Sequence, residues 1–539
     1  MRMTTLSKSR PGRKRRGMGV LALLVVAATL TALLSSGSAS AAGSPPAARN
    51  SAPAGDQGFV TRSGSHLELD GKPFRFSGAN IDWLGLIGYG PHNWGPGQTE
   101  VYPSDYEIND ALATAKEMGV NVVRAQTLGD TVGCATCLEP KPGQFNEQAL
   151  RVMDYAVMRA RHYGIRLIFE FIGDSRVVNN GESSGVFSSW AGGANPFSSP
   201  VAIADEEGLI SHILNHVNSY TGVPYKDDPT IFGWMDCNGC AESPVATSNS
   251  WVTTISSYVK SIDHNHLFID NGGASSLSIP DVDVYATEVY PHWYDYYGLP
   301  TATTLAEKDA NMTAFVQQSA AAATAAGKAW MLSEYGWDKT DWATDADLRT
   351  FLTSVLNDQN ISGDLFWDLE SHANGHGWQP IPANDECQAT DFDTAPPTQS
   401  DPTGAGCYVN EDGNWWALYY TGLPTLSNTQ GDMAQRAQIL RTYAYRMRGY
   451  TTTPPHDIPP APIVTSITNG RLYWEGSAGA PDYSIEYAST PNGRWTVVCD
   501  KCVTDLSNGW PVTEDGWYRV IPYNLSDVPG PASAPHHAG

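Results

Sequence analysis

Residues 145–171 read FNEQALRVMDYAVMRARHYGIRLIFEF. Phe145–Tyr163 carries helical patterning and stops at Gly164, the residue type that closes helices in the left-handed conformation. The apolar, β-branched run Arg166–Phe171 follows at once and reads as a buried strand. A helix delivered straight into a buried strand is half of a βαβ unit. The same alternation extends outward on both sides. Strand-like runs lie at Phe74–Ser77, Val120–Val123, Ile231–Trp234, Leu267–Ile269, Val282–Val289, Ala329–Leu332 and Leu365–Leu369. Helical patterns lie between most of them, at Asp105–Met118, Asp205–Tyr220, Asn249–Ile262, Leu305–Ala326, Asp345–Asp358 and Asp432–Arg448. Asn271–Asp281 is too short for a full helix. Eight strands alternating with helices over residues 57–450 predict an α/β chain built as a (β/α)8 TIM barrel, with a doubly wound sheet as the alternative. There is no G-x-G-x-x-G after the first strand and no P-loop, so nothing points to a nucleotide cofactor, and no cofactor is expected.

The ends of the chain read differently. Residues 2–16 hold Arg2, Lys8, Arg10, Arg13, Lys14, Arg15 and Arg16 and no acid; an apolar run spans Val20–Leu34 and small residues follow at Ala39–Ala41. That is the pattern of a secretory leader, residues 1–41, with a flexible linker at 42–56. The expectation is a secreted, extracellular protein, with no membrane span after cleavage. Residues 451–462, TTTPPHDIPPAP, read as a Pro-rich linker to a separate module. Residues 463–539 hold short strand runs divided by Gly, Pro and Asn turns, a small all-β sandwich.

Composition narrows the partners. The 539 residues carry 33 Lys and Arg against 57 Asp and Glu, a formal charge of −24, with 17 Trp and 25 Tyr. Such a chain is a poor binder of phosphate backbones, so no nucleic acid partner is expected. Its aromatics suit stacking on neutral sugars as well as filling a core. A monomer is expected. The eight cysteines pair in sequence as Cys134/Cys137, Cys237/Cys240, Cys387/Cys407 and Cys499/Cys502. Export favours four local disulfides; a zinc site from the first two pairs is the competing reading.

In a barrel, chemistry gathers at the C-terminal ends of the strands. Those ends supply Trp83, Arg124, Glu170, Asp174, Asp236, Asn238, Glu288, Tyr290, Glu334, Trp367, Asp368 and Glu370. Carboxylates and tryptophans meeting an Arg and an Asn at one rim have the composition of a glycosidase cleft, where two carboxyl groups act and aromatic faces hold the sugar. Asn146 and Asp174 are candidate ligands for a structural ion, but no Asp-rich loop with calcium spacing is present, and no metal is expected.

Residues 57–450 resemble glycoside hydrolase family 5 of clan A, close to its endo-β-mannanase-like branch. The resemblance is carried by GKPFRFSGANIDWLGL (71–86), GVNVVRAQTLGD (119–130), LNHVNSYTGVPYKDDPTIFGW (214–234), MLSEYGW (331–337) and GDLFWDLESH (363–372), together with the helix–strand unit above. GRLYWEGSAGAPDYSIEYAS (470–489) is similar to fibronectin type III modules fused to such enzymes. The resemblance implies a retaining enzyme on a β-mannan-like or β-glucan-like polymer or oligosaccharide. It implies Glu334 as nucleophile, Arg124 as the cation that holds it ionised, Asn238 on the sugar 2-hydroxyl, Tyr290 beside the nucleophile and Trp367 under the sugar. Trp83, Glu170 and Asp236 are expected as further substrate-binding residues.

One departure stands out. The family places its acid/base Glu directly after the Asn, and this chain has Gly239 there; it also has Glu288 where the family has a His. Three readings follow. The acid/base has moved, with Glu288 the best candidate. The cleft binds sugar without hydrolysing it, a pseudoenzyme. Or the added acids serve a substrate with a cationic group, such as an amino sugar.

Overall fold

The computed structural model describes residues 58–89, 100–173, 183–238, 248–272, 275–290, 294, 297–336, 345–375, 418–421, 433–504 and 509–539. The leader, the 42–56 linker, Asp174, Gly239, Cys240, Cys387 and Cys407 lie outside them. A three-stranded antiparallel sheet comes first: β1 (Val60–Ser63), β2 (His66–Leu69) and β3 (Lys72–Pro73). Eight parallel strands then close a barrel: β4 (Phe76–Asn80), β5 (Val122–Ala125), β6 (Arg166–Ile172), β7 (Ile231–Cys237), β8 (Leu267–Asp270), β9 (Val284–Val289), β10 (Ala329–Tyr335) and β11 (Gly363–Phe366), with β11 pairing back onto β4. The helices are α1 (Asp105–Glu117), α2 (Glu147–Tyr163), α3 (Ser183–Trp190), α4 (Pro200–Asn215), α5 (Asn249–Ile262), α6 (Leu305–Ala325), α7 (Asp345–Asn357) and α8 (Met433–Met447). The expected TIM barrel is therefore the observed one.

Local chemistry explains the boundaries. Ser104 and Glu107 form a reciprocal capping box at the start of α1, and Thr304 and Glu307 repeat it on α6. Asn146 caps α2 by accepting from Gln148 N, so its side chain serves the helix and not an ion. Gly164 closes α2 at φ 70°, a conformation that penalises any residue with a Cβ. The first barrel strand begins at Phe76, two residues later than the sequence suggests. Arg75 is spent instead on the end of α7, donating to the carbonyls of Val355, Leu356, Asp358 and Ile361. Among the described residues no helix lies between β8 and β9, as the short connection implies.

The N-terminal sheet was not anticipated. Its Val60 and Leu67 join one apolar cluster with Phe76, Val122, Ile168, Phe232, Met331 and Leu365 of the barrel strands. Two short strands thus contribute side chains to the inner core. Alternation over four residues is too brief to separate such strands from a polar loop.

The C-terminal region forms two antiparallel sheets. One orders β14 (Ile463–Thr468), β15 (Arg471–Glu475) and β18 (Trp510–Pro511); the other orders β17 (Thr496–Val503), β16 (Asp482–Ala488), β19 (Gly516–Tyr523) and β20 (His536–Ala538). Val464, Leu472 and Trp474 of the first sheet share a core with Tyr483, Ile485, Tyr518 and Val520 of the second. Cys499 and Cys502 are bridged, as are Cys134 and Cys137, and Cys237 is also disulfide-bonded. Bridging at Cys134, Cys137 and Cys237 rules out the four-thiolate zinc reading. A two-strand parallel pair, β12 (Leu369–Glu370) with β13 (Leu418–Tyr419), lies just past the barrel.

The linker expected to separate this module is instead fastened to the barrel. Glu117, at the end of α1 and 4% exposed, accepts from Arg441 Nε at 3.1 Å, Tyr420 OH at 3.0 Å, His456 Nδ1 at 2.6 Å and Asp457 N at 2.8 Å. Arg441 also donates to the carbonyls of Pro454 and Pro455 at 3.0 Å. Tyr106 OH donates to Gly476 O, and Gly375 N to Glu475. Prolines stiffen this segment, and one buried carboxylate anchors it. Replacing Glu117 by Ala leaves Arg441 buried without its counter-ion and should cost about 3 kcal/mol, measured by urea unfolding. Removing residues 454–539 should lower the melting temperature of the barrel; an unchanged transition would show that the two parts fold independently.

Candidate active site

The barrel turns five strand ends toward one guanidinium carried by a sixth. Arg124 on β5 is wholly buried. Its Nη1 donates to Asn80 Oδ1 on β4 at 3.0 Å and to Glu334 Oε1 on β10. Its Nη2 donates to Glu170 Oε1 on β6 at 2.6 Å and to Asn238 Oδ1, just past β7, at 2.5 Å. Glu288 Oε1 on β9 lies 4.0 Å from the same nitrogen. The planar fork of Arg can serve several acceptors in fixed directions, which a Lys ammonium cannot. Asn80 is itself locked, since its amide donates to the carbonyls of Ser333 and Phe366. Sequence reasoning had not marked Asn80 as a contact of Arg124; only strand pairing brings it there.

Glu334 receives two donors, Arg124 on one oxygen and Tyr290 OH on the other at 2.5 Å. Burial works against its ionisation, more strongly than Arg124 and Tyr290 favour it, so its carboxyl sits above the ordinary Glu range. Arg124 favours the charge of Glu334 as expected, but burial outweighs it. Burial also disfavours the Arg124 cation, but the carboxylates of Glu170, Glu334 and Glu288 outweigh it and hold it charged.

Glu288 and Glu334 are register partners on adjacent parallel strands. Two residues on, Tyr290 shares the inward face, as the period of two requires. Glu288 Oε1 accepts from Asn271 Nδ2 at 2.6 Å, and Asn271 Oδ1 accepts from Ser333 Oγ at 2.9 Å. Asn271, one residue past β8, was missed by sequence reasoning. Its one signal was its position at a strand end.

The remaining predicted residues fall into two groups. Trp367 packs against Tyr290 in a small apolar cluster at the mouth. Trp83 and Asp236 lie deeper than expected. Trp83 is 2% exposed, belongs to the main apolar core and donates from Nε1 to Glu370 at 3.1 Å. Asp236 is fully buried and accepts from Asn271 N at 3.1 Å. Burial first, then the neighbouring Asp270, push its carboxyl far up, so it is a floor group and not a rim acid facing substrate. Glu170, also fully buried, meets Arg124 and not the open cleft.

Asp82, Asp368 and Glu370 bring carboxylate oxygens within 4.8 Å of one another, a spacing that could hold a cation. Without a cation, burial raises the two buried carboxyls of this group. It lifts Asp368 to about 8, with Asp82 adding repulsion, and lifts Glu370 well above its usual range, with Asp368 and then Asp82 adding to it.

A buried, cation-ordered pair of carboxyl groups at the C-terminal mouth of a (β/α)8 barrel defines the glycoside-hydrolase class of site. Comparison with known proteins agrees. Residues 194–359 match the family model described as GH family 5 beta-mannosidase-like. The chain is 30% identical over 240 residues to mannan endo-1,4-beta-mannosidase 5 of Solanum lycopersicum, covering 42% of this chain and 54% of that one. It is 31% identical over 227 residues to mannan endo-1,4-beta-mannosidase 1 of Oryza sativa subsp. japonica, covering 40% and 48%. The chain thus spans about half the length of these curated relatives. The endo-beta-1,4-mannanase of Thermotoga petrophila shares the fold at TM-score 0.51 and 18% identity, over 86% of this chain and 98% of that one. These likenesses support a glycoside hydrolase family 5, endo-mannanase-like protein.

The acid cluster has a measurable consequence. With the Asp368 carboxyl raised to about 8, the folded state keeps a proton that the unfolded chain has already released. The Asp368 contribution to stability should therefore be fully present below about 4 and decline as pH rises toward about 8. Asp368→Asn should flatten that decline in urea titrations run across this range. An equal slope in both proteins would show that Asp368 ionises normally.

Proposed function

We propose that this chain is a secreted, retaining glycoside hydrolase acting on β-mannan, with Glu334 as nucleophile and Glu288 as the relocated acid/base. The observation that carries this reading is the placement of Glu334 between Arg124 and Tyr290, with Glu288 beside it across the strand pair and turned to the same guanidinium. Glu334 attacks the anomeric carbon while Glu288 passes its proton to the departing glycosidic oxygen. Water, deprotonated by Glu288, then releases the sugar from Glu334. Asn238, fixed by Arg124, is the group for the sugar 2-hydroxyl, and Trp367 gives the ring an apolar face. β-Mannan as substrate rests on the named activity of the plant relatives. Secretion rests on the basic and apolar leader pattern of residues 1–41.

Glu334→Gln should bring hydrolysis of β-1,4-mannan oligosaccharides to background while leaving their binding. Glu288→Ala should slow the same substrates about 10²–10⁴-fold, the usual worth of general acid help, and spare aryl mannosides whose leaving groups need little protonation. Equal rates of Glu288→Ala and wild type on both substrates would remove Glu288 from the role. A large gain from Gly239→Glu, or tight binding without turnover in the natural chain, would favour the sugar-binding pseudoenzyme. Because Glu334 must be ionised to attack, the acid limb of kcat/KM should lie above the ordinary Glu range.

A further inference from the structure

We propose that Asn271, backed by Ser333, is the positioning residue that keeps Glu288 hydrogen-bonded in both of its protonation states. This rests on the acid/base reading of Glu288. A group that first donates a proton and then recovers one from water meets opposite demands. Ionised, its carboxylate accepts hydrogen bonds; protonated, it also donates one.

The groups facing Glu288 are mostly of fixed kind. Arg124 on β5, 4.0 Å away, only donates. Glu334 on β10 and, beyond the guanidinium, Glu170 on β6 repel an ionised neighbour. Asp236 on β7 and Asp270 on β8 lie beneath Asn271 as an acidic pair. Tyr290, one residue past β9, donates to Glu334. Asn271 is of another kind, because its side-chain amide carries a donor and an acceptor on one rotatable plane.

The surroundings of Asn271 suit such a turn. Its backbone N–H is fastened to Asp236 Oδ1 at 3.1 Å, so the residue stays in place while its amide rotates. Behind it stands Ser333 Oγ, a hydroxyl able to donate or accept. In the observed arrangement Ser333 donates to Asn271 Oδ1 and Asn271 Nδ2 donates to Glu288 Oε1, which matches an ionised Glu288. In the reverse arrangement a protonated Glu288 donates to Oδ1, and Nδ2 donates to Ser333 Oγ. Turning the amide by half a circle exchanges the two without moving the backbone. The proton that leaves Glu288 goes to the glycosidic oxygen, and the proton it regains comes from the attacking water.

The test is Asn271→Leu, which keeps the volume and removes both polar atoms. An ionised carboxylate loses more from this than a neutral acid, so the Glu288 pKa rises, by about one unit. On β-1,4-mannan oligosaccharides the alkaline limb of kcat/KM should move up by that amount. Placed on Glu288→Gln, Asn271→Leu should add no further loss, because it acts through Glu288. A purely structural residue would lower both substrate types and add its loss in full. Carbon NMR titration of the Glu288 carboxyl in Glu334→Gln protein reads the same shift without turnover. Asn271→Ser, too short to reach Glu288, takes the place of the Leu variant if that one fails to fold. An unmoved titration beside a crippled Glu288→Gln overturns the inference and leaves the acid/base reading standing. A fully active Glu288→Gln overturns both.

Discussion

A guanidinium with no exposure to water, ringed by acceptors from four other strand ends, is the constraint on which this site depends. Stripping water from Arg124 is expensive, and only well-aimed acceptors offset it. Asn80, Glu170, Asn238 and Glu334 provide them, each from a different strand end, and Glu288 adds a carboxylate charge only at 4.0 Å. The geometry is reciprocal. The barrel closure brings the acceptors together, and the guanidinium fixes the directions in which they point. The nucleophile, the sugar-facing Asn and the second carboxyl are therefore set by one group.

The charge around it is unbalanced toward acid. Glu170, Glu288 and Glu334 face one cation, while Asp236 with Asp270 and Asp368 with Glu370 sit close by. Such crowding is relieved by taking up protons. Burial, with Glu207 adding repulsion, lifts Glu206 to about 8, and burial, with Asp205 adding repulsion, lifts Glu139 to about 7. The formal −24 therefore overstates the charge of the folded chain at neutral pH. The low-dielectric mouth also keeps Glu334 from ionising as readily as a surface Glu, which ties reactivity to pH.

Stability and site are coupled through the floor and flank of the barrel. The short N-terminal strands contribute Val60 and Leu67 to the inner core on which the strand ends are built. On the outside, Glu117 joins α1, α8, Tyr420 and the Pro-rich segment in one hydrogen-bonded knot. The two β-sheets that follow share a separate core, yet they are held to the barrel by these contacts.

Local pattern determined the outline. Helices closed by glycine and followed at once by buried strands are signals read within about twenty residues, and they were enough for the barrel, its strand order and the rim on which Glu334, Arg124, Tyr290 and Trp367 stand. Tertiary structure decided everything that depends on distant residues meeting. Arg124 and Glu334 lie 210 positions apart, and Glu117 and Asp457 lie 340 apart. No periodicity encodes that Asp236 would face Asp270 on the floor, that Trp83 would be enclosed in the core, or that Asn271 would stand between Ser333 and Glu288. A strand's alternation tells which face a side chain takes, but the depth of that side chain and its partner are set by register and barrel closure. Those two decide whether a carboxyl is a wet rim acid or a buried one that holds its proton.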